Sequence, residues 1–395
     1  MIHFVTLSTQ DNCMRDYLSL WGSGFGARIR IVHYEDLLAQ STPAPGTYIL
    51  AALDQLSGPS VELLAQFHEA LSPYPEFRLI NHPLRTLQRY ELLATLHHAG
   101  INDFRVLRAT ADLGSLTLPV FMRGGSRHDG PLTPLLRSRR QIDGGLALVG
   151  RRLGTLSDVL AVEFCDTRDE DGIYRKYAAF FVGHRVIPRS LFHGRHWMLK
   201  QAAAELNMNW SMEELAYVIE NPHREQLSRI RELAGVEYGR IDYSIRNGRV
   251  QAWEINLKPT IGRGRLRPAS GRVPPELATI RRQVKEVFYR EFQAALEGLD
   301  TAAGEPVDRP VCVQTAAPTR LAPLGVQARR RLPRLRQWLR PVWSRLVALE
   351  RATLHGRDRA AIALLAPAGR RARENGRYRE GPPPRPRPPG GLGIT

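Results

Sequence analysis

Three cysteines in 395 residues, Cys13, Cys165 and Cys312, stand far apart and match neither a disulfide framework nor a zinc-ligand spacing. No apolar run approaches about 18 residues, which excludes a membrane-spanning helix. The opening segment 1–7 has no basic leader and no small-residue cleavage site, so a reduced, cytoplasmic protein is expected. No dinucleotide fingerprint follows a strand: Gly22, Gly24 and Gly26 lack the spacing and read as a flexible loop. No Ser/His or Cys/His arrangement suggests a covalent nucleophile, and His82, His128, His193 and His196 have no metal-ligand companion at helical spacing. Lysine is scarce. Lys176, Lys200, Lys258 and Lys285 stand against 52 arginines, the pattern of a GC-rich coding bias. A basic site that other proteins fill with lysine can therefore carry arginine here, whereas a surviving lysine suits a place that needs a compact point charge.

What is abundant is positive charge, net +17, and its distribution is uneven. Residues 301–395 hold 19 arginines and 6 acidic residues, a net of +13, and 13 of the 28 prolines. The first 300 residues are nearly balanced at +4. The segment 300–395 reads as an Arg/Pro-rich, largely disordered tail. Within it Leu332, Leu335, Leu339, Val342, Leu346 and Leu349 recur at three- and four-residue steps among arginines, with Trp338 and Trp343 nearby. That pattern suits an anionic membrane surface or nucleic acid, although Pro341 would kink such a helix.

Before the tail, strands are expected at 2–7, 28–33 and 48–53, and a helix at 60–71 capped by Ser60. This alternation predicts a small α/β layer domain over residues 1–80. A second domain, 81–299, is expected to contain a helix over 83–99 stopped by Gly100 and strands at Val106, 118–122, 159–164 and 177–182. Helices are expected at 132–140, 197–206, 212–219, 224–234 and 275–296.

The most informative segment is 238–259. Two β-rich runs flank Asn247-Gly248, a hairpin signal. Glu254 and Asn256, two apart on one strand, share a face. A three-residue loop would bring Asp242 onto that face opposite Ala252, whereas a two-residue turn would oppose it to Trp253 and aim it away. Two carboxylates and an amide oxygen converging among apolar neighbours would suit Mg²⁺ held partly by phosphates; an exposed hairpin with a solvated polar face is the plain alternative.

Asp242, then Glu254-Ile255-Asn256 with Pro259 shortly after, resembles the metal-binding end of the ATP-grasp superfamily, especially its glutathione-synthetase-like and ribosomal-protein glutamate-ligase-like members. The resemblance covers roughly 81–262 and implies an ATP-grasp fold, with residues 1–80 as the N-terminal α/β pre-ATP-grasp domain. It implies that Asp242, Glu254 and Asn256 hold Mg²⁺ against the phosphates of ATP. Arg89 and Arg123 stand where the family usually has ATP-binding lysines, and 124–130 resembles its flexible flap. Glu163-Phe164 resembles the adenine hinge. Counted from that hinge, Lys176 takes the place of a basic residue near the reacting phosphate; counted back from Val182-Gly183 the register is two residues off. The implied activity is an ATP-dependent ligase that activates a small-molecule or peptide carboxylate as an acyl phosphate for capture by an amine or thiol, with Arg123 and Lys176 as electrostatic clamps. Phosphotransfer to a hydroxyl uses the same metal ligands, and a non-catalytic adaptor working through the tail is the rival from another class. Arg189 and Lys200 are candidates for substrate contact.

Overall fold

The computed structural model describes residues 1–39, 43–127, 130–199, 207–262 and 274–300, all within one unit spanning Met1–Gln337. The tail segment 301–395, Lys200 and most of the expected helix 197–206 lie outside the described residues.

The chain begins with β1 (Ile2–Thr6), α1 (Asn12–Leu20), β2 (Ile29–His33), α2 (Tyr34–Ala39), β3 (Gly46–Leu50), α3 (Gly58–Leu71) and β4 (Phe77–Ile80). The four strands are parallel in the order β2-β1-β3-β4. Every residue of β1 and β3 is buried, as a parallel sheet covered on both faces requires. Ser57, rather than Ser60, caps α3: its hydroxyl accepts from the Ser60 N–H, and Pro59 fits the first turn, where its missing donor costs nothing.

Next come α4 (Arg89–His98), β5 (Val106–Arg108), β6 (Val120–Gly124), α5 (Arg139–Leu153) and β7 (Val159–Glu163), whose strands form a small antiparallel sheet, β5-β7-β6. Residues 132–138, expected as helix, instead run beside β6, with Leu132 N–H donating to Met122 O at 2.6 Å and Leu136 N–H to Val120 O at 2.7 Å. Pro131 and Pro134 explain the difference, since each removes an amide donor and disfavours helix before it. The helix starts only after Ser138, which caps it.

The remaining elements are β8 (Tyr174–Val182), β9 (Arg185–Gly194), α6 (Met208–Glu220), α7 (Arg224–Ala234), β10 (Tyr238–Arg246), β11 (Arg249–Asn256) and α8 (Pro275–Glu297). The strands make an antiparallel sheet ordered β11-β10-β8-β9. The architecture is thus mixed α/β, with one parallel and two antiparallel sheets. Among the described residues no helix is long and apolar enough to cross a membrane.

The two four-stranded sheets share their cores. Phe4 and Ile49 meet Phe180, Tyr238 and Phe288, and Leu50 joins Phe181, Ile241 and Tyr243. Asn81 pins them together. It is fully buried in a left-handed conformation (φ 69°) that asparagine tolerates. Its amide donates to Leu50 O (3.1 Å) and Tyr238 O (2.8 Å), and its Oδ1 accepts from the N–H groups of Glu237 (2.8 Å) and Tyr238 (3.0 Å). Replacing it strands two buried carbonyls and two amides. Asn81→Ala is therefore expected to lower unfolding free energy by about 2–4 kcal/mol, read from urea titrations of the two proteins.

Candidate active site

The site is built on the β10–β11 hairpin, and its geometry differs from both sequence expectations. Arg246 pairs with Arg249, so the turn has two residues, Asn247 (φ 51°) and Gly248 (φ 72°), both left-handed as the favoured hairpin turn demands. On that register Asp242 would oppose Trp253. Instead the register shifts: Tyr243 pairs with Ala252, Asp242 with Glu254 and Arg240 with Asn256, leaving Trp253 as the extra residue of a β-bulge. The bulge does what the three-residue loop was expected to do. Trp253 is held in place by stacking on Phe104 (5.2 Å) and by its indole N–H, which donates to the Ser244 hydroxyl at 3.1 Å.

Asp242 and Glu254 consequently stand side by side, and each is met by two cations. Asp242 receives Lys176 Nζ at 2.7 Å and Arg240 Nε at 2.9 Å. Lys176 reaches it diagonally: the residue opposite Asp242 on β8 is Ala178, whose small side chain leaves room for the longer one from two residues away. Glu254 Oε2 accepts from Arg123 at 2.6 Å and from Arg89. Four cations around two carboxylates leave a net +2 on this face.

The electrostatics follow from burial. Burial alone would raise the Asp242 carboxyl, but Arg240 and Lys176 outweigh it and hold it below its ordinary value. Burial, with Arg89 alongside, pulls Arg123 down to about 10. Its Nε is buried without a hydrogen-bond acceptor.

These groups line a cavity of about 550 Å³. At one end are Phe121, Phe164, Trp197 and Trp253, with Trp197 against Phe121 (5.0 Å) and Phe164 (5.8 Å). Arg123, Lys176, Arg240, Asp242, Glu254 and Asn256 also line it, and Arg189, Glu214, Arg281 and Lys285 line it too. Arg189 was a sequence candidate. Arg240 was missed, although it stands two residues before Asp242 and alternation alone puts it on the same face.

Arg89 and Glu163 do not line the cavity. Arg89 lies behind Glu254 and donates to the carbonyls of Gly124 (2.7 Å), Gly125 (2.8 Å) and Arg127 (2.6 Å), anchoring the glycine-rich loop. Glu163 accepts from Arg105 Nη2 and from the Thr117 N–H, both at 2.6 Å, and so ties β7 to the segments beside it. The Phe164 N–H donates to Pro119 O at 2.8 Å, while its ring faces the cavity. His193 is buried against Glu213 (2.9 Å) and stacked on Trp210 (5.1 Å).

Oxygen donors suited to a hard divalent cation are present in Asp242, Glu254 and Asn256 on one face, and Asn256 Oδ1 is fixed by the Lys258 N–H at 2.8 Å. Among the described residues no group of three His, Cys, Asp or Glu side chains is placed to hold a metal ion by itself. With a net +2 nearby, the set fits a cation that arrives with phosphate oxygens rather than one bound alone.

No family model matches the chain, and no curated protein matches it. Solved structures similar to it include a D-alanine–D-alanine ligase from Bacillus anthracis complexed with ATP (12% identity, 75% of this chain and 99% of that one, TM-score 0.41). Others are an L-amino acid ligase from Bacillus licheniformis (13%, 78% and 77%, TM-score 0.38) and a RimK domain ATP-grasp protein from Sphaerobacter thermophilus (14%, 73% and 98%, TM-score 0.40).

Two outcomes follow from the charge arrangement. Glu254→Gln removes the negative charge between Arg89 and Arg123 and is expected to cost about 3 kcal/mol in urea unfolding, part of it recovered in Arg123→Gln/Glu254→Gln. For Asp242 the folded value lies below the unfolded one, so its pairing stabilises the fold fully above the unfolded value and is lost as pH falls through the depressed one. Asp242→Asn should therefore flatten the fall in stability below about pH 4, measured as melting temperature against pH.

Proposed function

We propose that this chain is an ATP-grasp enzyme, an ATP- and Mg²⁺-dependent ligase that activates a carboxylate as an acyl phosphate for capture by an amine or thiol. Residues 1–80 are then the pre-ATP-grasp layer and 81–299 the ATP-grasp part. The observation that carries the reading is the single hairpin face on which Asp242, Glu254 and Asn256 converge amid an excess of cations, in a cavity that is aromatic at one end. Phosphates are the ligands that such a net positive, oxygen-rich face lacks, and a purine fits between aromatic side chains.

Asp242, Glu254 and Asn256 would hold Mg²⁺, which when bound neutralises phosphate oxygens and polarises the phosphorus that is attacked. The chain's own residues do the rest. Phe121, Phe164 and Trp197 seat the base. Arg123, with an Nε that lacks an acceptor, and Lys176 and Arg240, which already flank Asp242, bind and orient the triphosphate and balance charge as it moves. A carboxylate oxygen of the substrate forms a bond to the γ-phosphorus while the bond to the bridging oxygen breaks and ADP leaves. The amine or thiol then attacks the acyl carbon, phosphate departs with the electron pair, and the nucleophile's proton passes to phosphate or water.

The test is calorimetric titration of the full chain with ATP, with and without Mg²⁺, beside Asp242→Ala/Glu254→Ala whose fold is checked by circular dichroism. Binding that requires Mg²⁺ and weakens by about 100-fold or more in the variant is expected. A folded wild type that binds no Mg-ATP overturns the reading.

A further inference from the structure

The cavity also has a wall formed by β9 and α8, apart from the hairpin face proposed to meet the nucleotide. Across the sheet a row runs Glu254, Asp242, Ala178, Ser190 from β11 to β9. Beside it β9 carries a bulge of its own: Ala178 opposes Ser190 while Ala179 opposes Pro188, so Arg189 is the extra residue, and it lines the cavity. From α8, Arg281 and Lys285, four residues apart and hence on one helical face, line the same cavity.

Among the described residues none of the three has an ion pair within 4.0 Å, and Glu214 is the acid whose charge acts on all of them. Arg189 sits over the rings of Phe288 (4.4 Å) and Tyr289 (5.5 Å) instead. The one acid among them, Glu214 on α6, is buried with its carboxylate accepting the Leu191 N–H at 3.2 Å, and burial pushes its carboxyl up. It balances at most one of three charges. Lys285 is pulled down by burial and then by Arg281 and Arg189, which line the same cavity. Half-buried cations gathered without counter-ions, in a cavity, form a receptor for an oxyanion.

We propose that Arg189, Arg281 and Lys285 form a subsite for a second anionic group, a carboxylate or a phosphate, carried by the carboxylate substrate. From Asp242 to β9 is two inter-strand steps, roughly 10 Å, so the substrate is compact and doubly anionic rather than a simple monocarboxylic acid. Which of its two groups reacts rests on the proposed nucleotide face; the anion subsite itself rests on the cation cluster.

The full-length wild type, Arg281→Gln/Lys285→Gln and the charge-keeping Arg281→Lys/Lys285→Arg are titrated calorimetrically with glutarate, butyrate and inorganic phosphate. Separate titrations with a Mg-bound non-hydrolysable ATP analogue use the same samples. Glutarate binding weakened about tenfold or more by the glutamine pair, restored by the charge-keeping pair and absent for butyrate, with nucleotide affinity unchanged, is the expected result. The same pattern for phosphate and not glutarate supports the subsite and identifies the group as phosphate. If neither anion distinguishes the variants, or if nucleotide affinity falls in parallel with anion affinity, the subsite is overturned. Absence of nucleotide binding in all three proteins, with the anion response intact, sinks the ligase reading and leaves the subsite standing.

Discussion

Asp242 and Glu254 are where four cationic side chains find their counter-charge, and much of the site's architecture follows from that. Asp242 is nearly sealed from water and Glu254 is largely covered, so both depend on close positive neighbours to stay ionised. Meeting that need ties the hairpin to three other parts of the chain: Arg89 at the start of α4, Arg123 at the end of β6 and Lys176 on β8. The same pairs oversupply positive charge.

The chemistry of the hairpin was readable because its spacing is local. Glu254 and Asn256 share a face by alternation, and Asn247-Gly248 announces the turn. What could not be read was the phase, since a bulge at Trp253 leaves no mark except an aromatic residue where β-sheets commonly have one. Strand β9 was invisible for a related reason: Arg185, Pro188, Arg189 and His193 break its apolar pattern, and such interruptions are tolerated because it is an edge strand. Helix α5 contains Gly144, Gly145 and Gly150, each of which weakens its helical propensity. Its tertiary contacts, through Ile142 and Val149, outweigh that loss.

Arginine in place of lysine has different consequences at the two positions where resemblance would place lysine. At position 89 the planar guanidinium binds three loop carbonyls and a carboxylate together, a geometry that an ammonium on a shorter reach would not reproduce. At position 123 the side chain stays on the cavity wall with one donor unsatisfied. At position 89 the side chain serves as an anchor for the glycine-rich loop. The replacement at position 123 keeps a charge at the cavity and changes the angle from which it acts.

The bulge also separates two properties that hairpins usually couple. Ordinarily the length of a turn sets which side chains share a face, so inserting one residue inverts everything beyond it. Here the phase of Asp242 against Glu254 is reset at Trp253, four residue pairs from the tip, and it is pinned there by Phe104 and Ser244. The tip is consequently insulated from the chemistry. Asn247 and Gly248 are exposed, and the pairs between them and the bulge form a spacer. An exposed turn of this kind is a natural point at which to open the chain for circular permutation, or to graft a reporter, without disturbing the carboxylates below.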